Sequence, residues 1–192
     1  ERTQPSLTTR EPIMAVRRAI VSFWTPKAES MSVSNRKKAQ LLKDQAKFIG
    51  SHFLEYAKLC RKAGYHEAAQ IAILKAESKH RDIDASLSRA KLLWDMDKKL
   101  DAISVLKSSL NRPESSPHET AKKTLHLANW SSLTGHEQEA NLMNLYEQAI
   151  SCDPEWEKGY FFFARYVDDL MRDTQQREKS GKRSESERAT GE

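Results

Sequence analysis

The residues best suited to bind a metal or act as nucleophiles are six histidines and two cysteines. The histidines are His52, His66, His80, His118, His126 and His136, and they are scattered. His118 and His126 stand on one predicted helix, but no third ligand type lies near them, so the metal-site spacing is missing. Cys60 falls on an apolar stripe, where a small buried hydrophobe is expected rather than a nucleophile. Cys60 and Cys152 together make neither a disulfide framework nor a zinc cluster. The pair Asp168-Asp169 could serve acid/base chemistry. It sits beside Arg165 and Arg172, so an ion-paired helix face is the expected role. No GxxxxGK[ST] loop, HExxH, CxxC or GxSxG motif occurs. The chain therefore carries no expected catalytic residue, cofactor-binding residue or metal ligand.

Two further residue groups could recognise nucleic acid. Trp24, Trp94, Trp130 and Trp156 could stack bases, but each lies at a helix end or on a helix stripe, which favours packing between helices. Basic pairs occur at Arg17-Arg18, Arg61-Lys62, Lys98-Lys99 and Lys122-Lys123, and a row of them could line an anionic site. Solvated helix faces are the simpler expectation. The 32 Lys+Arg against 27 Asp+Glu leave only +5, too little for a histone-like binder. Direct nucleic-acid binding is not expected.

The elements that position these residues read as helices. Hydrophobic residues make up 38% and charged residues 31% of the 192, enough for a core under a large polar surface. Mean hydropathy is −0.75, and no apolar run approaches the roughly 20 residues of a membrane span. Six Gly and six Pro are too few for an all-β chain rich in tight turns. Glu1 is not followed by a charged-then-apolar signal segment, and the chain reads as a piece of something longer. A reducing compartment is expected.

Ile13, Val16, Ile20 and Phe23 form a first helical stripe, with Pro12 as its start and Pro26 as its stop. Residues 25–45 read as a polar linker, most mobile over 27–40. A second helix carries Ile49, Phe53, Tyr56, Cys60 and Ala63, and a third spans about 66–78. A fourth carries Ile83, Leu87, Ala90 and Trp94. A fifth carries Leu100, Ile103, Leu106 and Leu110, closed by Pro113. Ser116-Pro117-His118-Glu119 has the form of a capping box with Pro at the first helical position, opening a sixth. Leu142, Leu145 and Ala149 mark a seventh. Asp153-Pro154 would cap an eighth with Tyr160, Ala164, Val167 and Met171 on its stripe. Residues 173–192 hold no large apolar residue and are expected to be disordered.

A small-residue pattern recurs in this series. Ala57, Gly64 and Ala69 are echoed by Ala90, Asp97 and Ala102, and again by Ala128, Gly135 and Ala140. The first two instances are 33 residues apart and the next two 38, near the roughly 34 of tetratricopeptide helix-turn-helix units. Small residues let paired helices approach, and Gly or Asp suits a turn with an unusual backbone angle. Trp94, Trp156 and Ala164 are expected to pack between helices, Ala164 in the opening helix of a fourth unit. The expected fold is all-α, an α-solenoid of tetratricopeptide-like repeats.

Four segments, in order, resemble a known family. They are Glu11-Pro12-Ile13-Met14-Ala15-Val16-Arg17-Arg18-Ala19, then Ala57-Lys58-Leu59-Cys60-Arg61-Lys62-Ala63-Gly64, then Ala90-Lys91-Leu92-Leu93-Trp94. The last runs from Cys152-Asp153-Pro154-Glu155-Trp156 to Asp168-Asp169-Leu170-Met171. Over residues 10–172 the chain resembles the FAT domain of the phosphatidylinositol 3-kinase-related kinases, most of all its checkpoint members. The resemblance implies a very large nuclear serine/threonine kinase as parent, acting in the DNA damage and replication checkpoint. It implies ATP and magnesium in a kinase domain C-terminal to this region, likewise a homodimer. It also implies a kinase-interacting partner protein that recruits the parent to coated single-stranded DNA. This segment would then be a non-catalytic scaffold that cradles the kinase domain, flanked by neighbouring helical repeats. The polar stretch 25–45 is longer than the family's helix connection. A free-standing tetratricopeptide adaptor is the alternative reading, and a helical-repeat nucleic-acid binder a third.

Overall fold

A computed structural model describes residues 7–30, 35–79, 84–111, 116–135 and 137–189. Among them are eight α-helices and no strand, so the fold is all-α and built of helical repeats. The helices are α1 Leu7–Ser30, α2 Asn35–Lys62, α3 His66–Lys79, α4 Ser86–Asp95, α5 Lys99–Leu110, α6 Pro117–Thr134, α7 Glu139–Cys152 and α8 Glu157–Ala189. They divide into two compact units, residues 1–111 with α1–α5 and residues 112–192 with α6–α8.

In the first unit α2 packs most extensively on α3, and α4 on α5, with α1 laid along α2. Its core joins Ala57 and Cys60 of α2 to Ala69, Ala72 and Ile73 of α3 and Leu92 of α4. Alanines dominate because small side chains allow close helix approach, where dispersion contacts are numerous. In the second unit α6 packs on α7, and α8 closes over both. Leu125 and Ala128 of α6 meet Leu142, Tyr146 and Ala149 of α7 and Tyr166 of α8. Gly159 in α8 permits that approach: a Cβ there would stand 3.3 Å from Ile150 Cγ1.

The turns have a common chemistry. After α2, Gly64 has φ 82°, Tyr65 N–H donates to the Cys60 carbonyl at 2.9 Å, and Gly64 N–H donates to that of Arg61 at 3.1 Å. This is a Schellman cap. After α4 the same pair of bonds forms around Asp97, φ 60°, with Lys98 N–H donating to Leu93 at 2.9 Å and Asp97 N–H to Trp94 at 3.1 Å. Gly135 ends α6 at φ 66°. At the other end of α6, Ser116 Oγ accepts from Glu119 N–H at 3.3 Å and Pro117 takes the first turn.

Several boundaries differ from the sequence reading. Helix α1 begins at Leu7 and runs through both Pro12 and Pro26 to Ser30. A proline deletes one helical hydrogen bond and clashes with one carbonyl, a local penalty that flanking turns can bridge. Most of the stretch read as a linker is helical, since α2 starts at Asn35 and only 31–34 lie outside the described residues. Lys, Arg, Gln, Ala and Leu are all good helix formers, so polarity alone did not break the helix. Pro113, Ile83 and the Trp24 side chain lie outside the described residues. Asp153 is the C-cap of α7 rather than the cap of α8, which begins at Glu157. Helix α8 continues past the expected boundary at 172 to Ala189, with residues 172–177 exposed. Its Gln, Arg, Glu and Lys residues keep helical geometry without offering a face to bury.

Candidate functional site

The residues expected at helix crossings divide sharply. Ala57, Ala69, Ala90, Ala102 and Ala128 are buried, the last four completely. Trp94 and Trp156 are half-buried, and Trp156 packs against the second unit's core. Gly64 and Gly135 hold the left-handed turn positions.

Two residues fall elsewhere. Ala140 is exposed, because α7 starts five residues after α6 ends, while α3 and α5 start four residues after α2 and α4 end, and Gly135 directly follows its helix. The fourth helical residue is buried each time: Ala69 in α3, Ala102 in α5 and Leu142, not Ala140, in α7. Ala164 is exposed because α8 is turned by one residue from its expected phase. Gly159, Phe163, Tyr166 and Leu170 face inward in place of Tyr160, Ala164, Val167 and Met171. Tyr160-Phe161-Phe162-Phe163 is apolar on every face, so periodicity could not choose between phases.

Polar groups are largely turned to internal contacts. Arg18 lies over the rings of Phe53, 5.3 Å, and Tyr56, 5.0 Å, a cation–π arrangement that ties α1 to α2. Arg61 Nη1 donates to Asp95 Oδ2 at 2.5 Å. Lys99 stands 3.2 Å from Asp97 Oδ1 and 5.9 Å from the Trp94 ring centre, and Lys123 is buried. Each basic pair thus has a member engaged within its own unit. His118 Nδ1 stands 2.5 Å from Asp153 Oδ2, and its ring meets that of Trp156 edge-on at 5.3 Å. This contact ties the start of α6 to the α7–α8 turn. Among the described residues no three His, Cys, Asp or Glu side chains gather where they could hold a metal ion.

Burial raises the Cys60 thiol pKa, partly offset by its hydrogen bond with Tyr56; that bond and burial push the Tyr56 phenol up. A thiol held protonated is a poor nucleophile, and Cys60 serves the core. In the second unit the Tyr146 phenol is pushed up to about 12, first by burial and then by the neighbouring Tyr166. Its ring stacks on Tyr166 with centroids 5.0 Å apart, and its hydroxyl donates to Asn129 Oδ1 at 2.8 Å. Sequence reasoning missed the Arg18 and Tyr146 clusters, since both depend on contacts between helices.

Some of the outward residues are large and apolar. On α1, Ile13, Val16, Ile20 and Phe23 form one exposed stripe, with Ile13 at 56% and Phe23 at 65% exposure, while Met14 is buried. On α8, Tyr160, Phe161 and Met171 are exposed. The amphipathic face legible on α1 is real, but within this chain it faces outward. Periodicity marks an apolar face without saying what covers it.

Comparison with known proteins accords with this arrangement. The FAT domain family model matches residues 1–190. The serine/threonine-protein kinase ATR of Oryza sativa subsp. indica is 30% identical over 210 residues, covering 94% of this chain and 7% of the relative. The serine/threonine-protein kinase ATR of Arabidopsis thaliana is 32% identical over 203 residues, covering 89% and 7%. The chain thus spans about 7% of the length of these curated relatives. An all-helical chain of small-residue crossings, matched by the family model across almost its whole length, belongs to the FAT domain family.

Proposed function

We propose that this chain is a non-catalytic scaffold segment of a large ATR-like serine/threonine protein kinase of the DNA damage and replication checkpoint. Its role is to cradle the kinase domain and support a homodimer. The observation that carries the reading is the uncovered apolar stripe of α1, Ile13, Val16, Ile20 and Phe23. A face of this kind is stable in water only when another helix covers it, and in a stacked-repeat protein the neighbouring repeat does so. The outward Tyr160, Phe161 and Met171 of α8 offer a second such face.

In this reading ATP and magnesium belong to the parent's kinase domain, and no step of phosphoryl transfer passes through the residues described here. The ATR-interacting partner protein of such kinases would bind the parent complex, and the parent would act in the nucleus. No described helix is long and apolar enough to cross a membrane.

The test is Ile13→Glu with Ile20→Glu in the full-length parent. Loss of kinase activity, with new protease-sensitive sites beside this segment, is the expected result. Unchanged activity and an unchanged digestion pattern would refute the scaffold role. Ile71→Glu, at an exposed position on α3, controls for added charge.

A further inference from the structure

The apolar stripe of α1 has a charged edge. Ile13, Val16, Ile20 and Phe23 follow one another at three, four and three residues, the spacing of a seam that meets another helix. At about 100° per residue the stripe lies half a turn from Met14 and Arg18, which face α2. Arg10 and Arg17 are exposed and stand seven residues apart along one edge of the stripe. Among the described residues neither guanidinium has an ion-pair or hydrogen-bond partner. The other edge holds Pro12 and Ala19, without charge. Glu11 is turned to the α2 side, where its Oε1 stands 4.0 Å from Arg18 Nη2. Over residues 9–20 the outward side of α1 therefore carries two cations and no carboxylate.

We infer that the helix covering this stripe belongs to the same parent protein and carries an apolar seam edged by two carboxylates, which meet Arg10 and Arg17. The inference rests on the scaffold reading and names the chemistry of its covering repeat. An apolar seam alone accepts any amphipathic helix, and the charges beside it decide which helix is taken. Two unanswered guanidiniums select an acidic flank, because each carboxylate gains a charge-assisted hydrogen bond there and a basic flank is repelled. Seven residues make two turns, roughly 10 Å, so the two ion pairs fix one register. In a stacked-repeat protein the neighbouring repeat supplies that helix. A second copy of α1 is a poor match. Laid antiparallel it sets arginine edge against arginine edge, and laid parallel it sets the arginines against Pro12 and Ala19. A nucleic acid would leave the stripe uncovered. A lipid surface draws on cations along both edges of a helix, whereas one edge here has none.

The probe is benzoylphenylalanine in place of Val16 in the full-length parent, irradiated and mapped by mass spectrometry. The expected cross-linked segment lies in the parent, is apolar at three- and four-residue spacing, and carries Asp or Glu seven residues apart on one flank. In a mixture of isotopically light and heavy parent the cross-link should join like to like, since the contact is within one polypeptide. Arg10→Glu with Arg17→Glu should raise the rate of proteolysis beside α1 about tenfold, because cleavage follows the population of the open form. Changing the mapped carboxylates to Lys in that variant should restore the original rate. Should the double reversal misfold, Arg10→Gln with Arg17→Gln, expected to raise the rate about threefold, gives the decisive comparison. A covering segment with a neutral or basic flank, or charge changes that leave α1 as closed as before, would overturn the inference. So would a cross-link to another polypeptide, to a second copy, to lipid or to nucleic acid, or no cross-link at all. The scaffold reading is judged separately: a neutral flank leaves it standing, and it falls when Ile13→Glu with Ile20→Glu changes neither activity nor digestion.

Discussion

Arg61 and Asp95 are 34 positions apart and joined by a 2.5 Å hydrogen bond between Nη1 and Oδ2. One ends α2 and the other ends α4, so the bond links equivalent turns of successive repeats. Both groups are partly shielded, which preserves a charge-assisted bond that full exposure would screen away.

Asp95→Ala is therefore expected to lower the unfolding free energy by about 1 kcal/mol, with Asp95→Asn costing less because an amide oxygen still accepts. Urea unfolding at neutral pH measures it. No change in midpoint for Asp95→Ala would mean that water serves Arg61 equally well.

Gly64 and Asp97 occupy the same left-handed cap, one with a residue built for it and one without. A Cβ on Gly64 would meet no atom within 4 Å, so Gly64→Ala is a backbone test free of packing effects. It should cost about 1 kcal/mol, the usual penalty for a side chain in this region. Asp97→Gly should stabilise by a smaller amount, since Asp tolerates the region better than most and the exposed Lys99 contact it gives up is weak. Opposite signs in paired melting curves are the expected result.

These turns were legible in the sequence because left-handed geometry demands particular residues, and Gly64, Asp97 and Gly135 supply them. The cap at Ser116 was legible for a different reason: an N-cap needs a short side-chain oxygen to accept the Glu119 N–H, and Ser before Pro supplies it. Helix phase was less so. The run Tyr160-Phe161-Phe162-Phe163 has no polar face to reveal which way α8 turns. Burial moved two positions, from Ala140 to Leu142, because Gly135 directly follows α6 where Gly64 and Asp97 stand one residue further on, and because α7 starts one residue later after its partner helix; neither leaves much trace in composition. Pro12 and Pro26 misled, because a breaker's local cost says nothing about the helix on either side. A groove between α2 and α4 was invisible to any local pattern: Leu54, Ile73 and Leu87 meet only after three helices pack.

Tyr146 makes stability depend on alkali. Its phenol is pushed up to about 12 in the fold, against about 10 in an unfolded chain. Below pH 10 both states are neutral and its contribution is complete. As pH rises through 10 to 12 the unfolded state ionises first, binds fewer protons than the fold, and is stabilised relative to it by up to about 1.4 kcal/mol per pH unit. The unfolding free energy should therefore drop across that window, and Tyr146→Phe should drop less. At neutral pH Tyr146→Phe should itself cost about 1 kcal/mol, because Asn129 Oδ1 loses its donor. Denaturant titrations at pH 8 and 11 on both proteins check it. An identical alkaline drop in the two would assign the effect to other groups.

The register of the three helix pairs supplies the last test. Ala90 and Ala102 are completely buried, and Ala140 is exposed. A larger side chain forced into a close-packed crossing costs about 1–3 kcal/mol, because neighbours must leave their rotamers. Ala90→Leu and Ala102→Leu should each lower the melting temperature clearly, and in a stacked-repeat fold the damage should spread to the adjoining pair. Ala140→Leu should leave it nearly unchanged, since the new side chain projects into water. Leu142→Ala, by contrast, should cost about 2–5 kcal/mol, as it empties the buried fourth position of α7. If Ala140→Leu destabilised as much as Ala102→Leu, the third pair would share the register of the first two. The longer α6–α7 turn would then have no consequence for packing.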